Sequence, residues 1–448
     1  MKSRPAADLL WMPFTAHQDN IDFPPAVISK GEGIYLYGTD GKQYIDATGS
    51  WWVSSLGHCN PQINAAVKRQ LDRLEHVMMA GFISEPTLEL TEILGSLLPE
   101  PLSKIFYSDD GSTAVEVAMK IAIQYHSIRG SERCAFVSLG DGYHGDTLGA
   151  MSVGAIPSFH GLFHKRFKEQ YFADSPYCFR CPVKQESQST CDAQCMDSLE
   201  RILKEHGARI AACVFEPMVQ GAAGMRVYPA KVLNRIVDLC KRYDVLTIAD
   251  EVATGLGRTG EMFACGHAKI VPDMMCLAKG LTGGYLPIAV TAVSGEIYEE
   301  FKGGYRSNRI LNHGHTFTGN PLASSAAVAA LNQLIEKKLP HSAESTIKYF
   351  SEQLSSLNND EHISGIRHLG FIGAFELVKD RGTKEKFPPE LRLSFKLAQK
   401  ALSKGLIIRP LGDTVYYMPP FNVTTQEIDT ILSLTKEALR ETLGEVMR

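Results

Sequence analysis

The chain has 448 residues, 44% of them hydrophobic and 21% charged, with 46 Lys and Arg against 50 Asp and Glu. That is the balance of an ordinary soluble globular protein. The weak acidity leaves nothing to attract nucleic acid or an anionic membrane, and no run of ~18 apolar residues predicts a membrane-spanning helix.

The N-terminus lacks the apolar core of a signal peptide. The ten cysteines are too few for a disulfide scaffold, and Cys213, Cys240 and Cys276 lie inside apolar runs where a thiol packs as a small hydrophobe. A reducing cytoplasm is the expected compartment. Residues 1–60 are rich in Pro and Gly and hold GIYLYGTDGKQYID, which predicts two strands joined at Asp40-Gly41. A helical pattern follows Asn60-Pro61. Then short apolar runs recur at 104–108, 134–139, 210–217, 245–252, 274–280 and 286–294, several separated by amphipathic stretches such as 113–128 and 230–243. Apolar strands alternating with helices predict a largely parallel α/β sheet covered on both faces. After about 325 the pattern is helix-rich, with short strands expected near 371–377 and 406–418. The expected units are an N-terminal segment (1–60) packing with the small domain, a large domain (61–328) and a small C-terminal domain (329–448).

Asp250 ends the apolar run VLTIAD, where open α/β sheets place their ligands. Lys279 ends the next run and is followed by Gly-Leu-Thr-Gly-Gly. A lysine that can hold an aldehyde as an imine, with a carboxylate that keeps a pyridine nitrogen protonated, is what pyridoxal 5′-phosphate (PLP) chemistry requires. Taken as an isolated pair, an Asp at a strand end and a loop Lys are commonplace. Two further motifs add to them. Asp109-Asp110-Gly111-Ser112-Thr113 opens a helix after a strand, and suits either a plain N-cap or a phosphate. Gly140-Asp141-Gly142-Tyr143-His144-Gly145 offers an aromatic ring on a glycine turn, for a flat cofactor or simply for the surface.

The segment IADEVATGLGRTGEMFACGHAKIVPDMMCLAKGLTGGYLPIAV, together with DDGSTAVEVAMK, GYHGDTLGAMSV, FEPMVQGAAGM and TFTGNPLA, resembles the class III (ω-type) aminotransferases, in order along nearly the whole chain. The resemblance implies the fold-type I, aspartate-aminotransferase-like architecture and a homodimer with active sites at the subunit interface. It implies that Lys279 carries PLP and shuttles the proton, Asp250 meets the pyridine nitrogen, and Val252 and Tyr143 flank the ring with His144 alongside. Gly111 and Ser112 would hold the phosphate, joined by Thr316 and His315 from the neighbouring subunit.

LWMPFT, GSWWVSSLGH, HVMMAG and IIRPLGDTVYYMPP narrow the resemblance to the 7,8-diaminopelargonic acid synthases. These use 8-amino-7-oxononanoate, a long aliphatic carboxylate that needs an apolar wall and a terminal cation. Trp51, Trp52 and Tyr416 suit the wall, Arg409 the cation, with Phe14, Tyr143 and Gly314 completing the substrate set. A Trp-Trp step is expected to send its rings to opposite sides, as in a strand; core packing and a surface salt bridge are the plainer readings of the Trp pair and Arg409. Three features depart from the family pattern. Phe14 stands where its best-known members have Tyr, His315 where they have Pro, and Gln220-Gly221-Ala222 lacks the Glu that gates a substrate arginine in many ω-aminotransferases. Phe14 and His315 resemble a branch that uses L-lysine rather than S-adenosylmethionine as amino donor. A PLP mutase on the same fold, or another ω-amino acid transaminase, is the rival reading.

His313-Gly314-His315 first suggests a metal site, but its neighbours are glycines, threonines and Asn312, so no metal is expected there. Cys178-x₂-Cys181 and Cys191-x₃-Cys195 have spacing compatible with zinc; only one pair has the common knuckle spacing, and a surface excursion is the expectation.

Overall fold

The computed structural model describes residues 9–164, 170–184 and 190–446. Strands β1 (Ile28–Glu32), β2 (Tyr35–Gly38) and β3 (Gln43–Asp46) open the chain, with the turn between β2 and β3 at Asp40-Gly41, as the sequence predicts. Seven later strands build the central sheet: β4 (Leu102–Ser108), β5 (Ala135–Leu139), β6 (Gln170–Ala173), β7 (Ile210–Phe215), β10 (Leu246–Asp250), β11 (Met274–Leu277) and β12 (Ala289–Ser294), with a small hairpin of β8 (Val219–Gln220) and β9 (Arg226–Val227) between. Their order is β4-β12-β11-β10-β7-β5-β6. β12 runs antiparallel to both neighbours; the other pairs are parallel. Every residue of β5, β7, β11 and β12 is buried, which is why these runs are continuously apolar rather than alternating.

The helix Gly111–Ile128 lies across this sheet. Asp110 caps it, accepting from the Thr113 amide, while Thr113 closes the capping box. Its inward face is Ala114, Val115, Val117, Ala118, Ile121 and Ala122, packed against Val214, Ile248, Met274 and Cys276 of the strands. Small side chains let the helix approach closely, and so fix where its N-terminus ends.

The edge strand β6 escapes the sequence reading because four residues starting with Gln carry little pattern. So does β13 (Ile363–Leu369), which pairs with β14 (Ile372–Leu377) and through it with β16 (Thr414–Tyr417). Its register slips between Ser364 and Arg367, and that bulge interrupts the alternation that marks a strand. β15 (Leu406–Ile407) runs parallel to β3, placing Leu406 opposite Ile45 and Ile407 opposite Asp46. The C-terminal stretch thereby completes the N-terminal sheet.

The Trp-Trp step corrects the strand-like expectation. Ser50, Trp51 and Trp52 all have positive φ, at 47°, 65° and 78°, a costly left-handed turn for such residues. The rings still part: Trp52 is 6% exposed and Trp51 39%. Asp46 holds the turn, accepting from the Thr48 amide (3.2 Å) and hydroxyl (3.1 Å) and from the Ser50 hydroxyl (2.7 Å), with His58 Nε2 at 3.1 Å.

Gly370 makes the β13–β14 hairpin at φ +59°, where an added Cβ would meet the Thr259 carbonyl carbon at 2.2 Å. Gly370→Ala is expected to cost about 3 kcal/mol or more, from backbone strain plus the clash, and urea unfolding measures it.

Candidate active site

Parallel strands place their C-terminal ends along one edge of a sheet, and the loops that follow share that edge. Asp250 closes β10, Lys279 follows β11, Asp109–Gly111 follows β4, Tyr143 follows β5 and Glu216 follows β7. All of them line one cavity of about 710 Å³, with Trp52, Ser112, His144, Thr147, Val252 and Thr282.

At its floor, Asp250 Oδ2 lies 2.8 Å from His144 Nδ1, so His144 donates from Nδ1, while Asp250 Oδ1 accepts from the Val252 amide at 3.1 Å. The carboxylate is thereby fixed in orientation. Lys279 sits at φ +39° at the start of a 3₁₀ turn, its Nζ 4.6 Å from the Trp52 ring centre. Burial lowers its pKa against the opposing pull of Asp250 and Glu216, which favours the neutral, nucleophilic amine.

The Gly111–Ile128 N-terminus faces the same space. A Cβ on Gly111 would lie 2.6 Å from Val252, and one on Gly145 would lie 2.2 Å from Ser112 Oγ. Ser112 Oγ and Thr147 Oγ1 stand 2.7 Å apart, and Ser112 Oγ also accepts from the Thr147 amide at 3.0 Å. Glycines thus bring a helix terminus and two hydroxyls together, a cradle for a phosphate. Tyr143 stacks on His160 at 5.9 Å and donates from its hydroxyl to Asp146 at 2.8 Å. Burial first, and Asp146 second, raise its pKa, so the phenol stays protonated.

Beyond the cavity, rings form a file towards the surface. Phe159 lies 6.3 Å from Tyr143 and 5.1 Å from Phe14, and Phe14 lies 5.8 Å from Trp51. The Arg409 guanidinium rests 4.7 Å from the Trp51 ring centre. Among the described residues no carboxylate pairs with Arg409, which is exposed, so the salt-bridge reading fails. Tyr416 corrects its place in the substrate set. It is fully buried and accepts from Trp52 Nε1 at 3.1 Å, so it supports Trp52 from behind and offers no surface.

The 313–320 loop lies outside this cavity wall. His313 Nδ1 is 2.9 Å from Lys120 Nζ. His315 Nδ1 is 2.9 Å from Asp109 Oδ2, within ion-pair distance, while Gly314 and Thr316 are exposed.

The class III aminotransferase family model matches residues 16–439. The chain belongs to the class III aminotransferases. It is 42% identical over 436 residues to the adenosylmethionine-8-amino-7-oxononanoate aminotransferase of Geobacter sulfurreducens, covering 97% of this chain and 96% of that one. It is similar to the crystal structure of the enzyme of that name from Methanocaldococcus jannaschii, with TM-score 0.91, 37% identity and 97% coverage of each chain. An amine transaminase from an uncultivated Pseudomonas species, in its PLP-bound form, superposes with TM-score 0.92 at 30% identity, covering 99% of this chain and all of that one. The family accounts for the sheet and cavity together: the fold is the fold-type I architecture that the sequence resemblance implies.

The sequence reading passed over Glu216. Its Oε2 accepts from the Tyr143 amide at 3.1 Å and Oε1 from the Gly221 amide at 2.8 Å, tying the tyrosine turn to the turn beneath Trp52. The Glu-Pro after an apolar strand was its only signal. Burial, then Asp250, push its pKa up to about 7, against His144 and the two amides. The fold therefore retains a proton that the unfolded chain releases near 4.5. That contribution is present below 4.5 and lost as pH rises through about 7, on the order of 3 kcal/mol. In the cofactor-free protein, the stability of the wild type minus that of Glu216→Gln is expected to fall between pH 5 and pH 8; thermal unfolding across that range reads it, and a flat difference contradicts it.

Proposed function

We propose that this aminotransferase moves an amino group onto the ketone of 8-amino-7-oxononanoate, giving 7,8-diaminononanoate for biotin synthesis, with PLP as cofactor. The observation that carries the substrate is Arg409, exposed and unpaired among the described residues at the end of an aromatic file. A guanidinium there suits the far carboxylate of a long aliphatic chain. The named relatives support the same acceptor.

When bound, PLP supplies the electron sink that lets a proton leave the carbon bearing the amine. The chain supplies the rest. Lys279 holds the cofactor and, once released, takes the proton from the substrate's Cα, as a desolvated amine can near neutral pH. Asp250, aligned by His144 and the Val252 amide, keeps a positive charge on the pyridine nitrogen. Val252 and Tyr143 confine the ring. Gly111, Ser112 and the helix terminus hold the phosphate. Trp52, backed by Tyr416, walls the acceptor's apolar stretch, and Trp51 and Phe14 screen the mouth.

In this reading the chain works as a homodimer. His315 and Thr316 of the loop 313–320 complete the phosphate site of the neighbouring copy, and Gly314 gives the substrate room. Its exposure in one chain, outside its own cavity, supports that placement.

The relatives' names give S-adenosylmethionine as donor. Phe14 favours a second reading, L-lysine, because it offers a ring and no hydroxyl. Rapid mixing with each donor alone decides: the true donor bleaches the absorbance of the lysine-bound cofactor, and the other leaves it. Production of 7,8-diaminononanoate tests the acceptor; turnover of simple ω-amino acids with none of 8-amino-7-oxononanoate refutes it. Lys279→Ala is expected to lower kcat by roughly 10³-fold or more. Arg409→Lys loses the two-point carboxylate contact and is expected to raise KM for the acceptor about tenfold with little change in kcat, measured by steady-state kinetics.

A further inference from the structure

A second cleft, of about 690 Å³, lies away from the cofactor cavity, between the Tyr177–Lys184 turn, β9 and the β13 and 383–384 segments. Among the described residues its lining holds five cationic side chains, Arg180, Lys184, Arg226, Arg367 and Lys384, and no carboxylate.

The surrounding network leaves that charge under-compensated. Glu376 lies behind the wall, 3.2 Å from Arg367 and 3.4 Å from Arg180, and also accepts from the Tyr177 hydroxyl. Asp141 pairs with Arg226. Among the described residues, two carboxylates thus pair with Arg180, Arg226 and Arg367, and Lys184 and Lys384 have no carboxylate partner. Arg367 is spent on structure, donating to the Met225 and Gly365 carbonyls at 2.7 Å each and to the Gly224 carbonyl. Arg180 and Arg226 are not saturated: Arg180 Nη2 and Arg226 Nε have no hydrogen-bond partner among the described residues. A guanidinium left short of acceptors and partly desolvated is costly.

The groups are also held in place. The Arg226 guanidinium carbon lies over the Tyr177 ring, 4.0 Å from its centre, and Arg180 and Lys384 approach the Phe179 ring at 5.2 and 4.8 Å. Lys384 Nζ donates to the Phe179 carbonyl at 2.6 Å. Planar, prepositioned guanidinium groups with adjacent ammonium groups recognise oxyanions, and aromatic walls accept an attached organic group. Lys184 and Lys384 are exposed at the mouth, where they attract an anion from solution.

We propose that this cleft binds a compact, multiply charged oxyanion, a phosphate ester or polycarboxylate, at a site separate from the cofactor. The nearest link to the catalytic cavity is Arg226, whose partner Asp141 belongs to the turn that carries Tyr143.

The test uses the PLP-loaded enzyme, so that the cofactor's own phosphate site is filled. Equilibrium dialysis with inorganic phosphate, and separately with citrate, is run against sodium chloride at equal ionic strength. Saturable binding of one anion per chain is expected, with phosphate and citrate telling a phosphate ester from a polycarboxylate. Lys184→Gln/Lys384→Gln is expected to weaken it roughly threefold to tenfold while the cofactor's absorbance and the transamination rate stay unchanged; Arg180→Gln is expected to weaken it further. Because Arg180 also pairs with buried Glu376, the double lysine variant is decisive if Arg180→Gln misfolds. Absence of saturable binding of either anion, or equal binding by wild type and the double variant, overturns the proposal.

Discussion

A lysine amine whose pKa is lowered by burial, while nearby carboxylates resist that shift, is the constraint around which this molecule is arranged. Desolvation alone would drive the amine's pKa down, and charge pairing alone would hold it up. The balance needs Lys279 buried beside Trp52, with Asp250 and Glu216 near enough to be felt. Those carboxylates in turn must not collapse onto the amine as plain ion pairs. Asp250 is restrained by His144 and the Val252 amide, Glu216 by two backbone amides. The turn after β5 supplies a restraint to each, His144 to Asp250 and the Tyr143 amide to Glu216, so the balance exists only once β5, β7 and β10 lie side by side.

The same dependence runs outward. Trp52 meets Lys279 because residues 49–52 turn left-handed, and that turn persists because Asp46 gathers Thr48, Ser50 and His58 around itself. Burial pushes the Asp46 pKa up, but the hydrogen bonds from His58, Ser50 and Thr48 outweigh it and leave the pKa low. Asp46 lies at the end of β3, which is paired with β15 from the far end of the chain. Tyr416, from β16 of the neighbouring small sheet, supports the same Trp52. A wall of the catalytic cavity thus rests on segments at opposite ends of the sequence. The anion cleft has the same origin, with Arg180, Arg226 and Arg367 supplied by three separate segments.

Much of this was legible in the chain. Continuous apolar runs announced the central strands, because residues buried on both faces cannot alternate. Asp-Gly announced the β2–β3 turn, Asn60-Pro61 the helix that follows, and the Asp110 cap the helix at the phosphate cradle. β6 and β13 were not legible: one is too short to carry a period, the other is broken by a bulge. Glu216 was visible as Glu-Pro, but nothing local says that its oxygens will meet the Tyr143 and Gly221 amides. Tyr416 shows the converse error, since an aromatic residue near Arg409 in sequence reads as substrate wall until burial is known.

The sequence by itself determined the strand–helix alternation, the family, and which residue types stand at strand ends, because these depend on local periodicity and motif. Tertiary structure alone decided that Trp52 faces the lysine while Trp51 faces solvent, that Arg409 goes unpaired among the described residues, and that Glu216 is buried against two amides. Those outcomes turn on desolvation and on partners far along the chain, such as Tyr143 for Glu216 and Tyr416 for Trp52. Free energies of that kind are set by what surrounds a side chain in space, which no window of sequence contains.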